Sequence, residues 1–191
     1  MEFYELKNIV NDAIEKIYTR ESYLIEYGLS EWTIAAQFHY YMRKKCQKSL
    51  KGYSFDSEYN LMSKIENKGY VQKCIFVSEE PLKVRPDFII HKRVVSPKGG
   101  DAKGNFLWVE MKRVGGKKWE KDLKRVSAVT RACFTKNGVE CVTGYAYGLG
   151  ILFHKKKVIC KWFMNGNEKL ECIMTKDSCG VLRWLENNKL S

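Results

Sequence analysis

The spacing of hydrophobic and polar positions changes period several times along the chain. Phe3, Leu6, Ile9, Val10, Ile14 and Ile17 fall at helical spacing and predict a helix over 3–18. Ser30 is placed to cap a second helix reaching about Gln47. That helix buries Ile34, Phe38 and Tyr41 and ends on Arg43, Lys44, Lys45 and Lys48. The period then shortens. Residues 53–59 alternate enough for a strand; 84–91 and 105–112 are stronger strand candidates, separated by a loop with Pro97, Gly99, Gly100 and Gly104. Residues 117–135 return to helical spacing through Trp119, Leu123, Val126, Thr130 and Cys133, and 144–153 reads as a buried strand. Strands over 158–164 and 169–175 flank an Asn165-Gly166 turn, and a short helix near 181–188 is expected to close the chain.

From residue 30 the predicted order is helix, three strands, helix, strand. Three strands joined by short links favour an antiparallel meander, and the strand after the second helix must join the same sheet. The expected fold is α/β: a three-layer α/β/α sandwich with a central mixed β-sheet and an αβββαβ core over about 30–153. An N-terminal helical extension (1–28) and a C-terminal hairpin with a short helix (155–191) flank that core. No repeat, low-complexity tract or Pro/Gly-rich linker interrupts the 191 residues, which are read as one domain, 1–191.

Strand parity singles out a charged group. Side chains alternate across a strand, so Glu110 and Lys112 share one face while Val109 and Met111 take the other. Arg85, Asp87, Ile89 and His91 share a face of the preceding strand. Pairing Asp87 opposite Glu110 centres the hairpin loop between Lys98 and Gly99, where the Pro and Gly residues lie. Two carboxylates brought together at the end of apolar strands repel each other. A hard cation such as Mg²⁺ relieves that conflict, binding one or two carboxylates, waters and phosphate oxygens. Lys112 is then placed to hold an attacking water or to stabilise the transition state. The acid-x-Lys pattern alone selects nothing, since it also occurs at Glu5, Glu66, Asp101 and Asp122. Only at Glu110 does it end an apolar strand that follows a strand carrying an acid after proline. The competing reading of the same three residues is a salt bridge at a sheet edge.

Charge and cysteine content refine the partners. Lys and Arg number 34 against 22 Asp and Glu, a net charge of +12 that draws polyanions. The seven cysteines include no CxxC pair, which argues against a zinc ribbon and reads as reduced thiols in an intracellular, cytoplasmic setting. The N-terminus lacks a signal-peptide pattern, and no apolar run approaches the ~20 residues needed to span a membrane. Lys117, Lys118, Lys121, Lys124 and Arg125 follow the second acidic strand and are candidates for contacting a nucleic-acid backbone. Trp119 among them is read as core, from its spacing with Leu123. His39, His91 and His154 show no metal-ligand spacing.

Arg85-Pro86-Asp87 followed by Trp108-Val109-Glu110-Met111-Lys112 resembles the PD-(D/E)xK nuclease superfamily, the restriction-endonuclease-like fold. With Glu58-Tyr59-Asn60 and the stretch from Phe88 to His91, the set is similar to small bacterial members of that superfamily over about 30–153. The resemblance implies an Mg²⁺- or Mn²⁺-dependent endonuclease acting on nucleic acid, DNA in preference to RNA. It implies Asp87, Glu110 and the Met111 carbonyl as metal ligands and Lys112 as the catalytic lysine. Glu31, in the first turn of the second helix, and Glu58 are implied as further acids of the metal shell; their alternative roles are helix-dipole complementarity and a strand-end charge. A homodimer or a recruiting protein is the expected means of cutting both strands. Two other functions fit the charge: a nucleic-acid-binding module of this fold without activity, and an interaction subunit docking an acidic partner.

Overall fold

The computed structural model describes residues 1–58, 61–65, 69–72, 74–77, 81–93, 104–114, 118–132, 135–136, 139–140, 142–178 and 180–188. The chain opens with three helices, α1 (Phe3–Arg20), α2 (Ser22–Glu26) and α3 (Glu31–Cys46). Ser30 caps α3 by accepting the Thr33 N–H at 3.3 Å. Strand β1 (Ser54–Asp56) follows, then two antiparallel pairs outside the main sheet: β2 (Leu61–Ile65) with β3 (Gly69–Gln72), and β4 (Cys74–Phe76) with β5 (Pro81–Lys83). Next come β6 (Phe88–His91), β7 (Asn105–Arg113), α4 (Trp119–Val129) and a small pair, β8 (Thr135–Lys136) with β9 (Val139–Glu140). The chain ends with β10 (Tyr147–Phe153), β11 (Lys157–Met164), β12 (Asn167–Lys176) and β13 (Leu182–Asn188).

The architecture is mixed α/β. A seven-stranded sheet runs β1-β6-β7-β10-β11-β12-β13, antiparallel at every step except β7 with β10. That pair is parallel because the segment carrying α4 returns the chain to the starting end of the sheet. Alternation sends Leu107, Val109 and Met111 of β7 into a cluster with Leu6, Val10 and Ile14 of α1 and Ile34 and Phe38 of α3. It sends Trp108, with Ile89 of β6, into a second cluster with Leu123, Val126 and Val129 of α4. Helix α4 sits very close to β10. A Cβ on Gly148 would come within 2.7 Å of Val126 and 2.9 Å of its carbonyl oxygen, and one on Gly150 within 2.6 Å of Leu123 and 2.8 Å of Trp119. Trp119 is therefore a packing residue, as its spacing implies.

Four expectations need correction. The link from β1 to β6 is not short, since it carries β2 to β5. Those strands, of three to five residues each, are too brief to impose a period on the sequence. The strand expected from residue 84 begins at Phe88, after Pro86, which has no N–H to donate to a ladder. The Asn165-Gly166 hairpin is not an appendage, because β11 pairs with β10 and extends the main sheet. Lastly, the segment expected as a helix near 181–188 is strand β13, paired along β12. Its Leu182, Trp184 and Leu185 fit helical spacing, but a turn through Asp177 and Gly180 (φ +81°) folds the segment back onto β12. Leu182 and Trp184 then pack on the α1 cluster while Leu185 faces solvent. Helix α1 secures this edge: Trp184 donates to Glu15 at 2.8 Å, and Lys7 pairs with Glu186.

Candidate functional site

The pairing of β6 with β7 sets the site. Phe88 lies opposite Val109 and Ile89 opposite Trp108, so one further step in that register puts Asp87 across from Glu110. This is the register expected from the loop composition. Asp87 shares parity with Ile89, and Glu110 and Lys112 with Trp108, so the three belong to the α4 face of the sheet. Because β6 begins only at Phe88, the Asp87 side chain meets the neighbouring strand in place of a ladder carbonyl: Oδ2 accepts the Met111 N–H at 2.6 Å.

Glu110 is 4% exposed, and its Oε1 accepts the Trp108 indole N–H at 3.0 Å. Lys112 reaches past the end of the sheet to the start of α3, where Nζ donates to Glu31 Oε2 at 3.0 Å. The other Glu31 oxygen accepts the Arg113 N–H at 3.1 Å, so one carboxylate holds both the lysine and the strand that bears it. On the opposite side Lys112 Nζ lies 3.7 Å from Asp122 Oδ2, and Asp122 Oδ1 accepts from Arg125 at 3.0 Å. Asp122 is 3% exposed, and its Oδ2 has no hydrogen-bond partner among the described residues.

These placements shift the ionisation of the group. Burial pushes Asp87 up to about 6; the charges of Glu31 and Asp122 add to the rise, while the Met111 N–H and Lys112 oppose it. Burial, then the Asp87 charge, raises Glu110 well above the usual carboxylate range. Burial works against the Lys112 charge, but the acids around it, Glu31 first, outweigh that and raise its pKa. Lys112 is thus an ammonium at neutral pH. It can donate hydrogen bonds and balance negative charge, and it cannot accept a proton.

The structure brings together Asp87, Glu110, Lys112 and Glu31 of the residues expected from sequence, and adds Asp122. It does not bring in Glu58, which pairs with Arg85 at 3.4 Å. Among the basic residues, Lys118, Lys121 and Lys124 are exposed around the start of α4, whereas Arg125 is committed to Asp122. Lys117 lies outside the described residues, as do the loop glycines Gly99 and Gly100 and the Tyr59-Asn60 pair. His91 does not join the group: it pairs with Asp56 at 2.8 Å, beside Arg93. Asp122 had a sequence signal, because it heads one of the acid-x-Lys matches. What matters is instead its place in the first turn of the helix that follows the lysine strand, three residues before Arg125.

The donor set suits a hard divalent cation. Each of Asp87 and Glu110 gives one oxygen to a protein N–H, and among the described residues the other oxygen of each takes no protein hydrogen bond. Among the described residues no three His, Cys, Asp or Glu side chains form a metal cage. Two carboxylates with water and phosphate oxygens are nonetheless the ordinary protein contribution to Mg²⁺, which keeps much of its hydration. No described helix is long and apolar enough to cross a membrane. No protein-family model, curated protein or solved structure matches the chain.

Proposed function

We propose that the chain is a metal-dependent nuclease of the PD-(D/E)xK type, hydrolysing phosphodiester bonds in nucleic acid, with DNA the preferred substrate. In this reading the helices on the two faces of the sheet make a three-layer α/β/α sandwich, with α3, β1, β6, β7, α4 and β10 as its αβββαβ core. The observation that carries it is the pairing of two desolvated carboxylates, Asp87 and Glu110, with a protonated lysine on the same face of the sheet. A salt bridge at a sheet edge needs only one acid for its lysine. Here Glu31 and Asp122 already flank Lys112, so two further desolvated carboxyls, Asp87 and Glu110, exceed what a salt bridge requires, which supports a cation-binding role for them.

Asp87, Glu110 and the Met111 carbonyl would hold Mg²⁺ or Mn²⁺, which supplies Lewis acidity at the phosphate and a lowered pKa for an attacking water. The Lys112 ammonium orients that water, or neutralises the charge that builds on the phosphoryl oxygens as the water oxygen bonds to phosphorus and the P–O ester bond breaks, the leaving oxygen taking a proton from solvent. Glu31 and Asp122 act through Lys112: they hold the ammonium from two sides, and Arg125 fixes Asp122 in turn. Lys118, Lys121 and Lys124 would contact the flanking phosphates.

The test is cleavage of plasmid and oligonucleotide substrates with Mg²⁺ or Mn²⁺, against EDTA and against Asp87→Ala and Lys112→Ala. Activity is expected only with metal, and each substitution is expected to remove it. Cleavage that survives chelation and both substitutions would sink the mechanism.

A further inference from the structure

The solvent side of α3 is aromatic. Glu31, which holds Lys112, opens the helix, and Trp32 beside it is 63% exposed. Ala36 and Tyr40 continue the same side in steps of four, Tyr40 at 54% exposure, and the exposed Arg43 and Lys44 end it. At 3.6 residues per turn, Trp32, Ala36, Tyr40 and Arg43 fall within an arc of ~80°, with the two aromatic residues ~12 Å apart along the axis. Lys44 Nζ stands 5.8 Å from the centre of the Tyr40 ring. The opposite side of the helix, through Ile34, Phe38 and Met42, is fully packed.

This stripe is tied to the candidate site. Arg113, the residue after Lys112, donates to the carbonyls of Gly28 and Leu29 in the turn that leads into α3. Gly28 is required there, because its φ is +67° and a Cβ would come within 2.7 Å of the Arg113 guanidinium. The start of the stripe is therefore held at the end of the strand that carries Glu110 and Lys112.

We propose that the stripe binds an unpaired nucleic-acid strand, with bases stacked on Trp32 and Tyr40 and phosphates on Arg43 and Lys44, and leads that strand to the Asp87–Glu110–Lys112 group. The binding rests on the stripe; the destination rests on the nuclease reading. The chemistry favours a strand over a protein, because the two aromatic residues are separated by a small Ala and followed by two cations rather than by aliphatic side chains. It favours an unpaired strand over a duplex, because ring stacking needs exposed base faces, and a duplex offers only edges and phosphates. The ~12 Å rise between the two residues along the helix also exceeds the ~3.4 Å step of stacked bases, which calls for a splayed strand.

The experiment is fluorescence anisotropy with a labelled single strand and with a duplex of the same length, in EDTA so that nothing is cut. Trp32→Ala and Tyr40→Ala are each expected to weaken the single strand by ~5- to 150-fold and the duplex by less than ~2-fold, with Trp32→Phe keeping most of the affinity. Both positions are exposed, so an unchanged Tm shows that the variants are folded. Equal losses on the two substrates, or no loss, overturn the proposal. So does light scattering in which Trp32→Ala dissociates a dimer while strand affinity stays the same. Strand binding that needs Trp32 without any cleavage by the wild type keeps the stripe and removes the nuclease; cleavage with a KM indifferent to Trp32→Ala does the reverse.

Discussion

The two faces of β7 are both largely buried and serve opposite ends. Leu107, Val109 and Met111 lie at 1% exposure or less among aliphatic and aromatic side chains, and their burial stabilises the fold. On the other face the sequence runs Trp108, Glu110, Lys112, from apolar to acid to base within five residues. Burial of the carboxyls there opposes folding: it raises Asp87 and Glu110 and must be offset by the hydrogen bonds from Met111 and Trp108. One strand thus separates stability from chemistry by parity alone. A substitution one position along β7 should change the kind of defect, not only its size.

The largest effects should come from neighbouring positions and run in opposite directions. Glu110→Gln keeps the shape and the acceptor for Trp108 but removes the carboxyl that must ionise to bind a cation. It is expected to reduce cleavage by at least ~10²-fold and to raise Tm. Met111→Ala removes apolar volume from the other face and should cost ~2–5 kcal/mol of stability, with activity per folded molecule largely kept. Thermal melts and cleavage rates on the two variants check both halves. If Glu110→Gln lowers Tm as Met111→Ala does, the contrast between the faces is lost.

A smaller effect should follow pH. The Asp87 carboxyl rises to about 6 in the fold from an unfolded value of ~3.9, so the native state binds the proton more tightly. The stability tied to that proton is fully present below ~pH 4 and is lost as pH rises through about 6. Asp87→Asn should remove this part of the decline. In the wild type, Mg²⁺ needs the ionised carboxylates, so the Tm gain from added Mg²⁺ should be larger at ~pH 8 than at ~pH 5. Differential scanning fluorimetry across that range reads both; a Mg²⁺ gain that is constant with pH would remove Asp87 and Glu110 from the cation site.

The site was more legible than the sheet edges, for a physical reason. Parity and loop composition placed Asp87 opposite Glu110, the register that Phe88 and Ile89 keep, although the ladder shifts by one residue between Ile90 and His91. Helix α3 was legible from its Ser30 cap and its stripe. Strand β13 was not, since seven residues with apolar positions at both helical and alternate spacing take their conformation from the edge of β12. Asp122 was hidden differently. Its role depends on how close α4 lies to β10, and that closeness depends on Gly148 and Gly150, far along the chain. Glu58 lies two residues beyond the end of β1, and its described partner is Arg85.

The smallest effect concerns the basic residues of α4, which divide by face as β7 does. Lys118, Lys121 and Lys124 are exposed, and each contact of theirs with a phosphate would displace a counterion; Arg125 spends its guanidinium on Asp122. Substituting one of the three lysines by Ala should weaken binding by a similar factor for every nucleic-acid sequence. It should also reduce the slope of log K against log salt by ~1. Arg125→Ala should leave the slope alone and lower Tm, since it strips a buried carboxylate of its partner. Trp32→Ala should lower affinity with the slope unchanged, because stacking releases no ions. Salt titrations of these variants therefore separate three kinds of contribution, and a lysine variant with an unchanged slope takes that lysine off the path of the nucleic-acid backbone.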